Sequence, residues 1–402
     1  MQQIRSILKH RLFLPIYVPA VLFALYQGML IPVLPLYARE LGAGYGAVGL
    51  VVAAEGIGTL LMDLPAAWVV RRIGLKRSMV AGTLMVMLSV GLLFLAPGIA
   101  VVVGLRIIGG MGRALYFLSR PQIFTHVSLT NRGKAIASLG GVLRLGAFIG
   151  PALGGGIADV FGLRVPFLLM SALILMTAVL TFGFLDRQPA PEEGEASSFG
   201  RLRDALSARW QVLTAAGNGQ MFAMMIRRGR RVVVPLYGAD VLGLDVAAIG
   251  LIESASGAVD MSLFFTAGII MDRYGRKWAI VPSFIGQAIG MALIPLTGGF
   301  WGLLGAAGFV GLSNGISSGT MMTVGADLSP EDARSEFLGV WRSISDAGFT
   351  GGPLAVGAVA EALTLPAAAL VMAASGLAAA LTFGLFVPET AQLEPISDAS
   401  AR

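Results

Sequence analysis

The chain has 402 residues, of which 56% are hydrophobic and only 13% charged, against about 45–50% and 25% in an average soluble domain; too few charges remain to coat a soluble globule. Cysteine is absent and the only histidines are His10 and His126, which excludes a disulfide framework, thiol chemistry and a histidine metal cluster, so neither metal nor cofactor is expected. A net charge of +6 points to nucleic acid only if the cations gather on one face or tail, and their positions along the chain decide the matter.

Twelve apolar stretches of bilayer-crossing length, about 20 residues each, are predicted at 12–37, 46–70, 77–96, 98–119, 135–158, 163–185, 211–237, 246–270, 278–298, 300–322, 336–360 and 366–388. They are numbered spans 1 to 12 below. Span 1 follows Arg5, Lys9 and Arg11 and superficially resembles a signal peptide, but it outruns a 7–15-residue h-region and has no small-residue cleavage site. It is therefore expected to remain as a helix. Tyr26 and Gln27 lie within it, as candidate contacts for a small molecule. Span 2 carries Glu55 near mid-bilayer, and Asp63 nearer the following turn in Asp63-x-Pro65. That turn, Ala67 to Arg77, contains Arg71, Arg72, Gly74, Lys76 and Arg77.

In span 4, Arg106, Arg113 and Arg120 are seven residues apart and fall within about 40° of one line on a helix of 100° per residue. Tyr116 sits among them, and Gly110 and Gly112 follow Arg106 in an R-x-x-x-G-x-G pattern. Span 5 contains Gly146-x-x-x-Gly150-Pro151-x-x-Gly154-Gly155. Glycines four apart make a flat strip for close helix packing, and proline removes a backbone bond and permits a bend. Residues 186–210 are Pro/Glu/Ser/Arg-rich and read as a cytoplasmic linker, whose 199–210 end is a candidate amphipathic helix.

Span 7 supplies Asn218, Gln220, Met221, Met224 and Met225, then the cluster Arg227-Arg228-Gly229-Arg230-Arg231. Arg227 and Arg231 share a face, readable either as paired structural charges or as an anion-attracting vestibule. Span 8 holds Glu253 and Asp260 and leads into Gly268-x-x-x-Asp272-Arg273-x-Gly275-Arg276-Lys277. Asn314 lies in span 10; span 11 carries Trp341, Arg342 and Asp346, then Gly348-x-x-x-Gly352-Pro353.

With an even number of spans both termini lie on one side. If that side is the cytoplasm, 19 of the 29 Lys/Arg fall in cytoplasmic segments, two outside and eight, all Arg, within spans. The positive-inside rule selects that orientation, and the charge becomes a topology signal, with no nucleic-acid partner expected. Five acids lie within spans: Glu55, Asp63, Glu253, Asp260 and Asp346. An intramembrane charge costs roughly 2.5–3.5 kcal/mol even on the lenient insertion scale, so each should face a partner or a cavity. Arginine keeps its proton, so any proton carriage falls to carboxylates, and Glu55, Asp260 and Asp346 each read as a static ion pair with arginine, a proton carrier or a substrate contact.

Landmarks repeat at a nearly constant spacing. Pro35-Leu36-Tyr37 returns at Pro235-Leu236-Tyr237, Gly49-Leu50 at Gly250-Leu251, Gly74 at Gly275 and Gly150-Pro151 at Gly352-Pro353, offset by 200, 201, 201 and 202 residues. Two parallel repeats follow, as in known transporters. The expected fold is an all-α integral membrane protein of twelve transmembrane helices in two pseudo-symmetric six-helix bundles: residues 1–185, linker 186–210 and residues 211–402.

The turn after span 8 resembles the signature loop of the major facilitator superfamily. The turn after span 2 resembles it less, with Ala67 for the leading glycine and Arg71 where the family expects Asp. The span 4 arginine pattern and the span 5 Gly-Pro pattern are similar to those of the superfamily's drug/proton antiporter branch. The resemblance implies alternating access between halves, in a plasma (inner) membrane protein with cytoplasmic termini that acts as a monomer. It implies a conformational gate at Asp63, Arg71, Arg72, Gly74, Gly268, Asp272, Arg273, Gly275, Arg276 and Arg342, and a central site drawing on Tyr26, Gln27, Arg113, Tyr116, Asn218, Met224, Arg227, Arg231 and Asn314. Proton-coupled efflux of small amphipathic compounds is the expected function. The alternative is transport of an organic anion such as a carboxylate metabolite, siderophore or acidic lipid-like molecule. An intramembrane enzyme is not expected, because H-E-x-x-H and G-x-S-x-G are both missing.

Overall fold

The computed structural model describes residues 17–123, 129–185, 210–330 and 333–390. Among these there are fourteen α-helices and no strand. They are α1 (Val18–Glu40), α2 (Tyr45–Ile73), α3 (Leu75–Leu93), α4 (Ile99–Ile123), α5 (Leu129–Phe161), α6 (Val165–Phe184), α7 (Trp210–Leu236), α8 (Val246–Ser262), α9 (Phe264–Tyr274), α10 (Arg276–Leu293), α11 (Phe300–Ile316), α12 (Thr320–Leu328), α13 (Arg334–Ala362) and α14 (Leu365–Leu381). Together they occupy all twelve expected spans. Span 8 is divided between α8 and α9, and span 10 between α11 and α12. The linker up to residue 209, with most of the expected amphipathic helix, lies outside the described residues, as does the side chain of Arg120.

Among the described residues seven helices are long and apolar enough to cross a bilayer, and α8 with α9, bent by 43°, makes an eighth where the pair is counted as one span. In α7 and α13, charge rather than length sets them apart: α7 runs for 27 residues and α13 for 29, but they carry the Arg227–Arg231 cluster and the Arg342/Asp346 pair. Such helices need other protein groups to satisfy their charges.

Local chemistry sets the helix ends. Proline near the start of α1 gives up an N–H that the first turn leaves unbonded anyway. Arg39 in the last turn of α1 meets the negative end of the helix dipole. Gly74 at φ +84° joins α2 to α3, and Gly275 at φ +104° joins α9 to α10; each supplies a left-handed residue at no steric cost.

The chain divides into two compact units. One is Met1–Pro191 with Pro235–Gly257, the other Glu192–Val234 with Ala258–Arg402. The segment Pro235–Gly257, although part of the second sequence repeat, therefore packs with the first. Within the first unit α1 lies on α5, α2 on α4, and α3 on both α4 and α6; within the second, α10 packs on α11 and α14, and α13 on α14.

The glycine pattern accounts for the closest approaches. A Cβ on Gly146 would run into the backbone of Ala24, one on Gly150 would stand 2.6 Å from Gly28 Cα, and one on Gly154 would stand 2.6 Å from the Met29 carbonyl oxygen. On the other side of α5, Gly155 meets Val246, and Gly250 returns the contact at Pro151. There the Ala152 N–H donates to Ser254 Oγ at 2.8 Å. In the second unit Gly348 and Gly352 pack against Met221 and Met225 of α7, so the α7/α13 pair repeats the α1/α5 pair. Gly156, in contrast, faces open space. Gly150→Ala is expected to destabilise the protein by about 1–3 kcal/mol through backbone overlap, whereas Gly156→Ala leaves it unchanged or slightly more stable; thermal unfolding in detergent measures both.

Candidate functional site

In the first unit the charged centre lies between α2 and α4. Gly58 of α2 fits against the Ile107 carbonyl, and Gly110 of α4 against the Glu55 carbonyl. This approach lets the short Glu55 side chain reach Arg106 one turn before Gly110. The two form an ion pair with side-chain exposures of 4% and 1%. Arg113, two turns along the same face, brings Nε to 3.8 Å from the other Glu55 carboxylate oxygen. It also donates to Thr59 Oγ1 at 3.5 Å, and Thr59 donates to the Glu55 carbonyl at 2.9 Å. One carboxylate thus serves two arginines.

Aromatic rings wall this centre. Phe23 stacks on Tyr116 at 4.7 Å and meets Tyr26 and Phe117 edge-on. The Arg113 guanidinium lies 5.3 Å over Phe117, a favourable cation–π placement, and the Tyr26 phenol sits against Arg106. Tyr26 and Tyr116, expected to contact a small molecule, are each 1% exposed within this stack. Gln27 is half-buried beside them in sequence.

The second unit places a polar chain across α7, α10 and the α11/α12 break. Arg227 donates to Ser317 Oγ at 2.8 Å and to the Ser317 carbonyl at 3.3 Å. Ser283 and Ser317 hydroxyls are 2.6 Å apart, and Gln287 donates to Ser283 at 3.1 Å. Arg227 also lies 5.1 Å over the Phe284 ring. Asp260 accepts from Asn314 at 3.1 Å. Arg231 is half-buried, Met224 is buried under Gly348, and Arg342 stands 3.5 Å from Asp346 on α13.

Between the first halves of α7 and α13 lies a cavity of about 440 Å³, lined by apolar groups with Asn218, Thr214, Trp210 and Trp341 on its wall. Trp341 is fixed by donating from Nε1 to the Met321 carbonyl at 3.0 Å, over Gly325. Of the expected contact residues in this unit, Asn218 reaches the cavity.

At the α9/α10 turn Arg276 pairs with Asp327 at 2.9 Å. Glu389 accepts the backbone N–H groups of Arg276 and Lys277 at 2.8 and 3.0 Å, an acidic cap on the start of α10. Thr390 donates to Asp327 at 3.0 Å. Asp272 and Arg273 are exposed, and Gly268 faces open space, so Ala67 at the matching place in the first repeat costs no packing. In the first unit Arg71 and Arg72 are exposed at the turn, and Asp63 is half-buried. Asp327, Glu389 and Ser317 are the participants that sequence reasoning missed. The two acids had a signal, each being a carboxylate near a helix end on the same side as the basic turn; Ser317 had none.

The Major Facilitator Superfamily profile matches residues 17–226 and 218–401, and the chain belongs to that family. Membership places it among multi-pass membrane transport proteins rather than enzymes. It is similar to Multidrug resistance protein 2 of Bacillus subtilis, with 31% identity over 170 residues, spanning 41% of this chain and 42% of that relative's length. It is 25% identical over 353 residues, 85% of the chain, to a multi-drug resistance efflux pump PmrA homolog of Lactococcus lactis, covering 86% of that protein. The fold matches the crystal structure of a D-xylose-proton symporter with a TM-score of 0.75 at 16% identity, over 93% of this chain and 97% of that one.

Removing Glu55 takes the shared carboxylate from Arg106 and Arg113 in an apolar setting, and removing Arg106 leaves Glu55 with the longer 3.8 Å contact to Arg113. Glu55→Gln or Arg106→Gln is expected to cost roughly 3–5 kcal/mol. The double variant should cost less than the sum, and a double-mutant cycle on thermal unfolding measures the difference.

Proposed function

We propose that the protein is a proton-coupled exporter of small amphipathic compounds, working by alternating access between its two repeats, residues 1–185 and 211–402, joined by a cytoplasmic linker. It acts as a monomer in the plasma (inner) membrane with both termini cytoplasmic. The observation that carries the coupling is the Glu55 carboxylate, 4% exposed, between Arg106 and Arg113. Protonation removes the one charge of the three that can be removed, because arginine retains its proton. The two guanidinium groups then repel each other without a common partner, and conformations that separate or hydrate them gain population. Substrate export is linked to this step when substrate and proton favour opposite conformations. Asp260 and Asp346 are secondary proton sites in this reading.

The substrate class rests on the multidrug relatives and on the cavity beside Asn218, whose lining is mostly apolar and aromatic. Gly275, Arg276, Asp327 and Glu389 form the gate of the second repeat. One observation favours the alternative of an organic anion: Arg113 keeps 25% of its side chain exposed and only a long contact to Glu55. Stabilisation of the purified protein by benzoate but not by ethidium would select that reading.

In proteoliposomes loaded with ethidium, an imposed proton gradient, acidic on the side that receives the substrate, is expected to accelerate efflux. Glu55→Gln, which mimics the protonated acid permanently, should abolish that acceleration while ethidium binding persists. Efflux indifferent to the gradient in the unaltered protein would overturn the coupling.

A further inference from the structure

We propose that the α2/α3 turn of the first unit, together with the end of α6, is a headgroup site for an anionic phospholipid. The inference starts from what the first repeat has lost. Gly74 matches Gly275, and Thr181-Phe182-Gly183 matches Thr382-Phe383-Gly384, both at an offset of 201. At that same offset the three acids around the second turn, Asp272, Asp327 and Glu389, fall on Arg71, His126 and Gln188. The second turn neutralises its cations internally, through Arg276 with Asp327 and through Glu389 on the start of α10. The first turn keeps cations at Arg71, Arg72, Lys76 and Arg77 but has none of the three acids. Among the described residues these four form no ion pair.

Geometry indicates what kind of anion fits. Arg72 lies 5.1 Å over the Trp68 ring and Lys76 5.1 Å over the Phe182 ring. The rings are 54% and 66% exposed, so each cation is held at the edge of an open apolar surface. All six residues lie where α2 and α6 end and α3 begins, at the boundary of three membrane helices. A soluble phosphate would use the cations alone. A phospholipid uses both parts: the phosphodiester meets the guanidinium and ammonium groups, and the acyl chains continue along the exposed rings. Aromatic side chains favour this depth, and clusters of four or more cations beside a transmembrane helix attract acidic lipids.

The test titrates dioleoylphosphatidylglycerol or dioleoylphosphatidylcholine into the purified full chain in detergent and counts bound lipid by native mass spectrometry. The anionic phosphatidylglycerol should bind more tightly. Arg72→Gln and Lys76→Gln, both at the rim, should each weaken it roughly five-fold and leave phosphatidylcholine unchanged. Equal binding of the two lipids, or retention of the preference in the double variant, would overturn the proposal. So would displacement by glycerol 1-phosphate at matched concentration, which would assign the site to a free anion. A five-fold tighter binding on replacing Glu192, Glu193 and Glu195 with Gln would make the linker the resident occupant and overturn it equally.

Discussion

An arginine inside a bilayer cannot lose its charge, so the protein around it must supply a partner, and much of the first unit is arranged to supply one. Arg106 reaches Glu55 because α2 and α4 approach through Gly58 and Gly110. Those glycines have no side chain to contribute; they lower the distance over which opposite charges act. In an apolar setting that distance dominates the energy, since nothing between the groups screens them. The aromatic stack of Phe23, Tyr26, Tyr116 and Phe117 then excludes water from the pair and offers ring faces to the second arginine.

The two units handle similar problems with different chemistry. In the first, a titratable acid serves two fixed cations. In the second, Arg227 donates to the hydroxyl and the carbonyl of Ser317, with a ring face alongside, and Asp260 accepts from an amide. The turns differ in the opposite sense, with acids gathered at the second and removed from the first. The repeats share a backbone plan, visible in the matching α1/α5 and α7/α13 contacts, while their charges have diverged. That asymmetry leaves a carboxylate shared by two arginines in the first unit and an arginine anchored on a backbone carbonyl in the second.

Much of this was legible in the residues. Hydrophobic length located the helices, since a bilayer crossing needs about 20 apolar residues, and among the described residues seven, or eight with the bent α8/α9 pair, are long and apolar enough to cross. The Gly-Pro strips announced close packing, and the cost of buried charge singled out Glu55 and Arg106. What could not be read was pairing across the chain: nothing near Glu55 in sequence distinguishes Arg106 from Arg227 as its partner. Tyr26 and Tyr116 looked like cavity residues because a polar ring tip is equally at home in a closed stack. The break at Gly319 was hidden too, because glycines are so common in these spans that one left-handed residue does not stand out, and the break at Leu263 has no left-handed residue to mark it. Ser317 became important only through such a break.

The interruption between α11 and α12 has an electrostatic meaning of its own. A helix ends with unbonded carbonyls and a partial negative charge; α11 ends at Ile316 and Arg227 is bonded to the carbonyl of the next residue, Ser317. Part of the counter-charge of this arginine is therefore backbone, which no proton can neutralise at any physiological pH. Whatever the protonation of the carboxylates Glu55, Asp260 and Asp346, the anchor at Ser317 keeps its polarity.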